Sequence, residues 1–343
     1  MKKKILLTGS SGTLGREVLK QLIELNKYNI TIMCRKSAVR KTFIKHFLPK
    51  INCIVVDFEQ VEKKPEIKEK FDVVIHLAAV IPPLANTNLP LANSINVGAT
   101  EYLLEQIKKY NSEAFFMYSS SISVYGDRIN DPHITTRDPI NISLGDHYAK
   151  TKAKAESAIQ NSVLDWTIFR LSAIMGLNNH KISPLMFHMP LNTSIEICTP
   201  MDAARAFVKG IEKRNELKNK IFNLGGGENC RTTYEEFLKK NLKINGLGKL
   251  KFPKKCFAEK NFHCGFYSDG ELLQQITNFR TDTLSDYYQM NSNRVSFFKR
   301  TLASMFTPII RLLLMRKSEP YLAYKSNDES MKKRFFFRLI SIK

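Results

Sequence analysis

No apolar run of the roughly eighteen residues that a membrane span requires occurs in the 343 residues of the chain. The apolar stretch that follows Met1-Lys2-Lys3-Lys4 is only Ile5 to Thr8, too short for the core of a signal peptide. The six cysteines, Cys34, Cys53, Cys198, Cys230, Cys256 and Cys264, include no pair at CxxC spacing. Neither a zinc site nor a disulfide framework is expected, and a reducing compartment fits best. The expected location is the cytoplasm, and no metal site is expected. Acidic residues are also scarce: 32 Asp and Glu stand against 53 Lys and Arg, a net charge of +21. Such an excess points to anionic partners, whether a phosphorylated substrate, a membrane surface or nucleic acid.

Composition is otherwise that of a globular protein, with 43% hydrophobic and 25% charged residues. The length permits one large domain or two smaller ones. Short apolar runs alternate with helical patterns through the first half. Lys4–Thr8, Asn29–Cys34, Asn52–Phe58, Phe71–Ala79, Ala114–Tyr118 and Asp165–Leu171 read as strands. Leu14–Leu25, Ala92–Tyr110 and Tyr148–Gln160 read as helices. This alternation predicts an α/β fold with a doubly wound parallel sheet. Beyond Met175 the pattern loosens. Strands are expected at Ser194–Cys198 and Ile221–Leu224, and helices at Met201–Lys213 and Thr232–Leu242, the last opened by a Thr-x-x-Glu cap signal. The expected division is a dinucleotide-binding Rossmann domain over 1–175, a smaller substrate lobe over 176–290 interleaved with its sheet, and a basic extension over 291–343.

Thr8-Gly9-Ser10-Ser11-Gly12-Thr13-Leu14-Gly15 links the first strand to the first helix. Glycines at that spacing permit a tight turn and bring backbone amides to a pyrophosphate at a helix N-terminus. Gly9, Ser11, Gly12, Thr13, Leu14 and Gly15 are therefore candidate cofactor contacts.

With this loop as its start, the chain resembles the extended branch of the short-chain dehydrogenase/reductase superfamily, the NAD-dependent epimerase/dehydratase family, over about Lys4 to Met290. The further motifs follow in family order: Asp57-Phe58, His76-Leu77-Ala78-Ala79, Asn96-Val97-Gly98-Ala99-Thr100, Ser119 to Gly126, Tyr148-Ala149-Lys150-Thr151-Lys152 with Glu156, Pro200 to Ala206, and Phe222 to Gly227. The resemblance implies adenine contacts at Asp57 and Phe58. It places Leu77, Ala78 and Ala79 beside the cofactor and gives Asn96 a role in fixing backbone and water around the active site. It implies a catalytic set of Ser121, Tyr148 and Lys152, with Ser119 and Ser123 as competitors for the substrate-orienting hydroxyl. It also implies a homodimer formed through the Ala92–Tyr110 and Tyr148–Gln160 helices.

Tyr148 and Lys152 stand four apart and so share a helical face. A nearby ammonium favours the phenolate and is expected to lower the tyrosine pKa, which suits proton exchange with a substrate oxygen during hydride transfer. His76 is expected to pack at the cofactor side; His180 and His188, in the substrate lobe, are expected to be solvated rather than to face a sugar. Lys251, Lys254, Lys255 and Arg280 are candidate diphosphate contacts.

The second strand ends in Cys34-Arg35-Lys36-Ser37, with no acid for a ribose 2′-hydroxyl. Arg35 suits a 2′-phosphate, so NADP is favoured over NAD; Arg40 and Lys41 add to the charge. Ile122 and Ser123 stand where dehydratases carry an Asp-Glu pair, so dehydration is not expected. Arg170-Leu171-Ser172-Ala173 lacks the asparagine of hexose 4-epimerases. The expected reaction is reduction of a keto group on a nucleotide-activated sugar. The alternatives are a 4-epimerase with tightly bound NAD and a non-catalytic dinucleotide-binding protein.

The extension carries 12 basic and 3 acidic residues from Asn291 to Lys343. Thr301–Met315 is apolar but broken by Pro308 and Arg311, and Lys332 to Ile340 sets aromatics among cations. Basic and bulky apolar residues together suit the interface of an anionic membrane. Residues 299–343 are thus expected either to touch a membrane peripherally, beside glycan assembly at its inner face, or to pack a helix on the substrate lobe and end in a disordered tail. Nucleic acid is a weaker reading, because no recognition motif accompanies the charge.

Overall fold

A computed structural model describes residues 1–39, 42–58, 66–176 and 182–337. Arg40, Lys41, His180 and the end of the tail from Arg338 lie outside the described residues.

Five strands, β1 (Lys4–Thr8), β2 (Asn29–Cys34), β3 (Asn52–Val55), β4 (Val73–His76) and β5 (Phe115–Ser121), join the Asp165–Leu171 and Lys220–Leu224 strands in one parallel sheet. From one edge the order is Lys220–Leu224, Asp165–Leu171, β5, β4, β1, β2, β3. The side-chain period of two explains why these runs are apolar throughout. Ile5 and Leu7 enter the core on one face while Leu6 enters the core on the other. Phe115 and Met117 divide from Phe116 and Tyr118 in the same way. Helix Thr13–Leu25 covers the first face with Val18, Leu19 and Leu22, and helix Pro200–Gly210 packs beside it. Helices Ala99–Tyr110 and His147–Gln160 cover the second face with Leu103, Ile107, Ala155 and Ile159. Their outer surfaces are polar, with Glu101, Glu105, Lys108, Lys150 and Lys154 exposed.

Several element boundaries differ from the sequence expectation: the fourth strand is Val73–His76 rather than Phe71–Ala79, the fifth runs on to Ser121, and the Met201–Lys213 helix is Pro200–Gly210 with a 3-10 turn after it. β3 stops at Val55, so Asp57 and Phe58 lie in the loop beyond it. The expected Ala92–Tyr110 helix is divided into a short helix Leu89–Asn93, a π turn Ser94–Gly98 and the helix Ala99–Tyr110. The Thr232–Leu242 helix runs instead from Tyr234 to Ile244, because Arg231–Thr233 pairs with Ser194–Cys198 as a strand. Thr233 then caps the helix by accepting from the Glu236 amide.

The lobe has its own core around Phe187, Ile195, Ile197, Phe237 and Phe257. Beyond the Leu284–Arg294 helix, the described part of the extension carries the helices Phe297–Met305, Thr307–Arg316, Glu319–Ser326 and Glu329–Phe335. Ala303, Ile310, Leu314, Met315 and Tyr321 pack against the lobe core. No helix among the described residues is long and apolar enough to cross a membrane.

Candidate active site

The glycine loop is pressed against the end of β4. Gly9 has φ +74°, and a Cβ there would lie 2.7 Å from the Ala78 nitrogen. A Cβ on Gly15 would lie 2.1 Å from the Gly9 oxygen. Thr8 locks the junction, its hydroxyl accepting from the Leu77 and Ala78 amides at 3.2 and 3.1 Å. Helix Thr13–Leu25 starts at Gly12 with neither a side-chain cap nor an acidic residue in its first turn. Its first amides and its positive dipole end therefore remain available to an anion. A Cβ on Gly12 would meet only the Gly9 oxygen, at 3.3 Å. The loop fits a dinucleotide pyrophosphate.

Arg35 follows β2 and is exposed, as are Lys36 and Ser37. The Arg35 carbonyl accepts from the Ala38 amide at 2.8 Å, turning the chain into a short helix. Asp57 is exposed, while Phe58 is buried with its ring 6.0 Å from that of Tyr102. The Phe58 side chain thus serves the core.

β5 ends in Ser119, Ser120 and Ser121, all buried. Ser119 turns its hydroxyl to the His76 carbonyl at 3.3 Å, and the Ser123 hydroxyl is buried without a partner among the described residues. The Ser121 hydroxyl accepts from the Ser123 amide at 3.2 Å, and of the three it is the one close enough to Tyr148 to act on its phenol. Tyr148 is set in the first turn of helix His147–Gln160, which Asp146 caps through the Ala149 amide at 3.0 Å. The Asn86 side chain accepts from the Tyr148 amide at 3.0 Å.

One turn later Lys152 is buried, and its ammonium donates to the Ser119 carbonyl at 2.7 Å and to the Tyr118 hydroxyl at 3.2 Å. Burial lowers the Lys152 pKa to about 7, opposed by the Glu156 carboxylate. Burial also raises Tyr148 above its ordinary value, opposed by the Ser121 hydrogen bond. The expected lowering of the tyrosine pKa by Lys152 is therefore not found: burial governs the group, and Tyr148 is a phenol at neutral pH.

Tyr118 was legible only as a strand residue, yet its hydroxyl meets both Lys152 and Thr100. Thr100 reaches His76 Nε2 at 3.0 Å, and His76 Nδ1 reaches Thr8 at 2.7 Å. With both ring nitrogens engaged and its pKa pushed by burial, then by Lys152, to about 3, His76 is a neutral packing residue. Asn96, in the π turn, donates to Thr151 and to the Val80 carbonyl, both at 2.9 Å, and accepts from the Val80 amide at 2.7 Å. It ties the loop after β4 to the helix that carries Tyr148 and Lys152.

A buried ion pair supports the same helix. Arg170 holds Glu156 through two bonds of 3.0 and 2.7 Å and donates to the Tyr125 hydroxyl at 2.8 Å. Tyr125 continues to Asn223, and Asn223 to Asp269, each at 2.8 Å. In the lobe, the buried Glu196 accepts from the Gly227 amide, Arg231 and the Tyr267 amide. Two of the four candidate diphosphate contacts are occupied elsewhere: Arg280 holds the Gly225 carbonyl and Glu271, and Lys255 pairs with Glu259 beside Tyr324 and Phe336. Lys251 and Lys254 are exposed. His188 is largely buried and pairs with Glu319 of the extension at 3.4 Å, contrary to the solvated position expected.

Residues 5–225 match the model of the NAD dependent epimerase/dehydratase family. The chain is 27% identical over 176 residues to the D-erythronate dehydrogenase of Haemophilus influenzae, covering 50% of this chain and 55% of that protein. It is 28% identical over 244 residues to a putative UDP-glucose 4-epimerase of Methanocaldococcus jannaschii, covering 65% of this chain and 77% of that protein. The chain thus spans about half the length of the first of these relatives and about three quarters of the second. Among solved structures, the UDP-glucuronic acid 4-epimerase of Bacillus cereus in complex with NAD superposes with a TM-score of 0.65 at 19% identity, over 85% of this chain and 96% of that one. A UDP-galactose 4-epimerase superposes with a TM-score of 0.67 at 20% identity, over 88% and 99%. These likenesses establish a common fold.

Proposed function

From this chain's membership of the NAD dependent epimerase/dehydratase family, we propose that it reduces a keto group on a nucleotide-activated sugar, with NADP favoured as its dinucleotide. The observation that carries the reading is the neighbouring Ser121 and Tyr148 side chains, one turn from the Lys152 ammonium that is buried against the Ser119 carbonyl. A reduced nicotinamide supplies hydride to the carbonyl carbon when bound. Ser121 orients the carbonyl oxygen, and Tyr148 delivers the proton that completes the alcohol. Burial keeps Tyr148 protonated, which suits a donor. Lys152 fixes the geometry of the helix against β5 and is placed to hold the cofactor. Arg35, at the end of β2, would take a 2′-phosphate, and the glycine loop the pyrophosphate. The net charge of +21 favours a substrate bearing a diphosphate.

The relatives named for 4-epimerase activity support a second reading, in which the dinucleotide stays bound and oxidation at a sugar carbon is followed by reduction from the other face. Absorbance at the reduced-nicotinamide band, followed with candidate nucleotide keto-sugars, separates the two. A reductase oxidises the added NADPH stoichiometrically. An epimerase carries NAD through purification and interconverts nucleotide sugars without net oxidation. Protein that does neither, while binding dinucleotide, would be a non-catalytic member of the family.

A further inference from the structure

The Phe297–Met305 and Thr307–Arg316 helices are apolar on two sides. One side is spent on the lobe, through Ala303, Ile310 and Leu314. The fit there is tight. Arg311 donates to the Leu247 and Lys249 carbonyls at 2.6 and 2.5 Å, and the Thr307 hydroxyl lies 3.3 Å from the Gly246 carbonyl. A Cβ on Gly246 would come within 2.3 Å of the Arg300 carbonyl. The helix pair is thus seated on the lobe as a fixed ledge.

The opposite side is open. Phe297, Phe298 and Met305 on the first helix are 83, 74 and 71% exposed, and Phe306, Ile309 and Leu313, at the junction and on the second, are 47, 55 and 52% exposed. Isolated exposed apolar residues are ordinary, but six large ones within seventeen positions of two consecutive helices are a concentration that marks an interaction surface. Its charge setting is one-sided. No Asp or Glu occurs between Asp286 and Glu319, whereas Arg294, Lys299, Arg300, Arg311, Arg316 and Lys317 all do. All but Arg311 are exposed. At the foot of the first of these helices lies a groove of about 460 Å³ that Lys240, Lys243 and Arg300 line with Gln289, Ser292 and Asn293; no carboxylate is among its lining residues.

We propose that this ledge docks on an anionic phospholipid surface, with Phe297, Phe298, Met305, Phe306, Ile309 and Leu313 entering the interface and the flanking cations meeting headgroup phosphates. The groove provides Lys240, Lys243 and Arg300 to one such phosphate. A helix apolar on both sides, with one side used in folding, leaves the other to a low-dielectric partner. The charge pattern selects among partners. A second copy of this chain meeting the ledge face to face would set its cations against their own counterparts with no carboxylate between them. Nucleic acid would satisfy the cations but leave the phenylalanines and leucines facing water.

The test is flotation of the full-length chain with vesicles of phosphatidylcholine alone and of phosphatidylcholine mixed with phosphatidylglycerol. Three proteins are compared: the wild type, the apolar-face variant Phe297→Ser/Phe298→Ser/Met305→Ser and the charge variant Lys299→Ala/Arg316→Ala/Lys317→Ala. These six side chains are exposed, so circular dichroism and dinucleotide binding should stay those of the wild type. The expected result is wild-type binding to the anionic vesicles only, weakened by salt. Removing three cations should lower the partition coefficient on the order of a hundred-fold, and the apolar-face variant should release. Wild-type protein that ignores anionic vesicles at low salt overturns the proposal, as does binding that neither variant reduces. A concentration-dependent dimer that the apolar-face variant abolishes, without vesicle binding by the wild type, would give the surface to a second copy instead.

Discussion

The ammonium of Lys152 lies 2.7 Å from the Ser119 carbonyl, buried one turn along the helix from Tyr148. Its pKa is held down to about 7 chiefly by burial, against roughly 10.4 for a solvated lysine. Between those values the unfolded chain binds a proton that the folded one does not. Stability contributed by this group therefore rises with pH from about 7 toward 10, and the full penalty is present at and below neutrality. Lys152→Met removes the titrating group. The stability of this variant relative to wild type should be greatest at pH 7 and decline by on the order of 3 kcal/mol as pH approaches 10. Urea unfolding of both proteins at several pH values measures it; a pH-independent difference would refute the assignment. The same substitution should abolish turnover.

The serine-tyrosine pair gives a kinetic prediction. Tyr148→Phe removes the proton donor but keeps the ring, so kcat should fall by roughly 10²–10⁴ with little change in dinucleotide affinity. Ser121→Ala should lower kcat as well, because Ser121 contacts Tyr148. Ser119→Ala should do less, since that hydroxyl faces the His76 carbonyl. Steady-state kinetics on the three variants would reject the ordering if Ser119→Ala were the most damaging.

Glu156 and Arg170 are 1% and 4% exposed and joined at 2.7 Å. Removing one partner strands the other charge in the interior. Glu156→Gln should therefore cost about 3–5 kcal/mol in denaturant unfolding. The double variant Glu156→Leu/Arg170→Met should recover part of that loss, less whatever the Tyr125 hydroxyl forfeits. A Glu156→Gln protein as stable as the wild type would show that the pair contributes nothing.

The sheet was legible because strands buried on both faces, such as Ile5-Leu6-Leu7, need apolar residues at every position and so stand out from the helices between them. The glycine loop was legible because Gly9 and Gly15 are required by backbone contact. The proton balance of the site was not. Spacing places Lys152 near Tyr148, but only the fold shows that burial raises the one pKa and lowers the other. The Tyr118–Thr100–His76–Thr8 chain joins residues far apart in sequence, and each reads as an ordinary strand or helix position. The π turn at Ser94–Gly98 was hidden inside a continuous helical pattern, although Asn96 needs it to reach both Val80 and Thr151. Arg280 and His188 looked available only because their partners, Gly225 and Glu319, are distant in the chain.

Cofactor choice turns on the end of β2. Met33 and Cys34 are buried there, and the first exposed side chain is Arg35 where an acid would engage an NAD ribose. A guanidinium can hold a 2′-phosphate through charge-assisted bonds, which contribute about 1.5–3 kcal/mol. Arg35→Asp should thus weaken NADP binding by roughly ten- to a hundred-fold. NAD should be nearly unaffected or bind slightly better, because the new carboxylate repels the phosphate but can accept from a 2′-hydroxyl. Lys36 and Ser37 stay in place in the variant, so a residual NADP preference would measure their share. Titration of tryptophan or nicotinamide fluorescence with both dinucleotides gives the two dissociation constants. Wild-type protein that binds the two equally, with no change in Arg35→Asp, would remove the phosphate role from this residue and leave NAD as the cofactor to be tested in turnover.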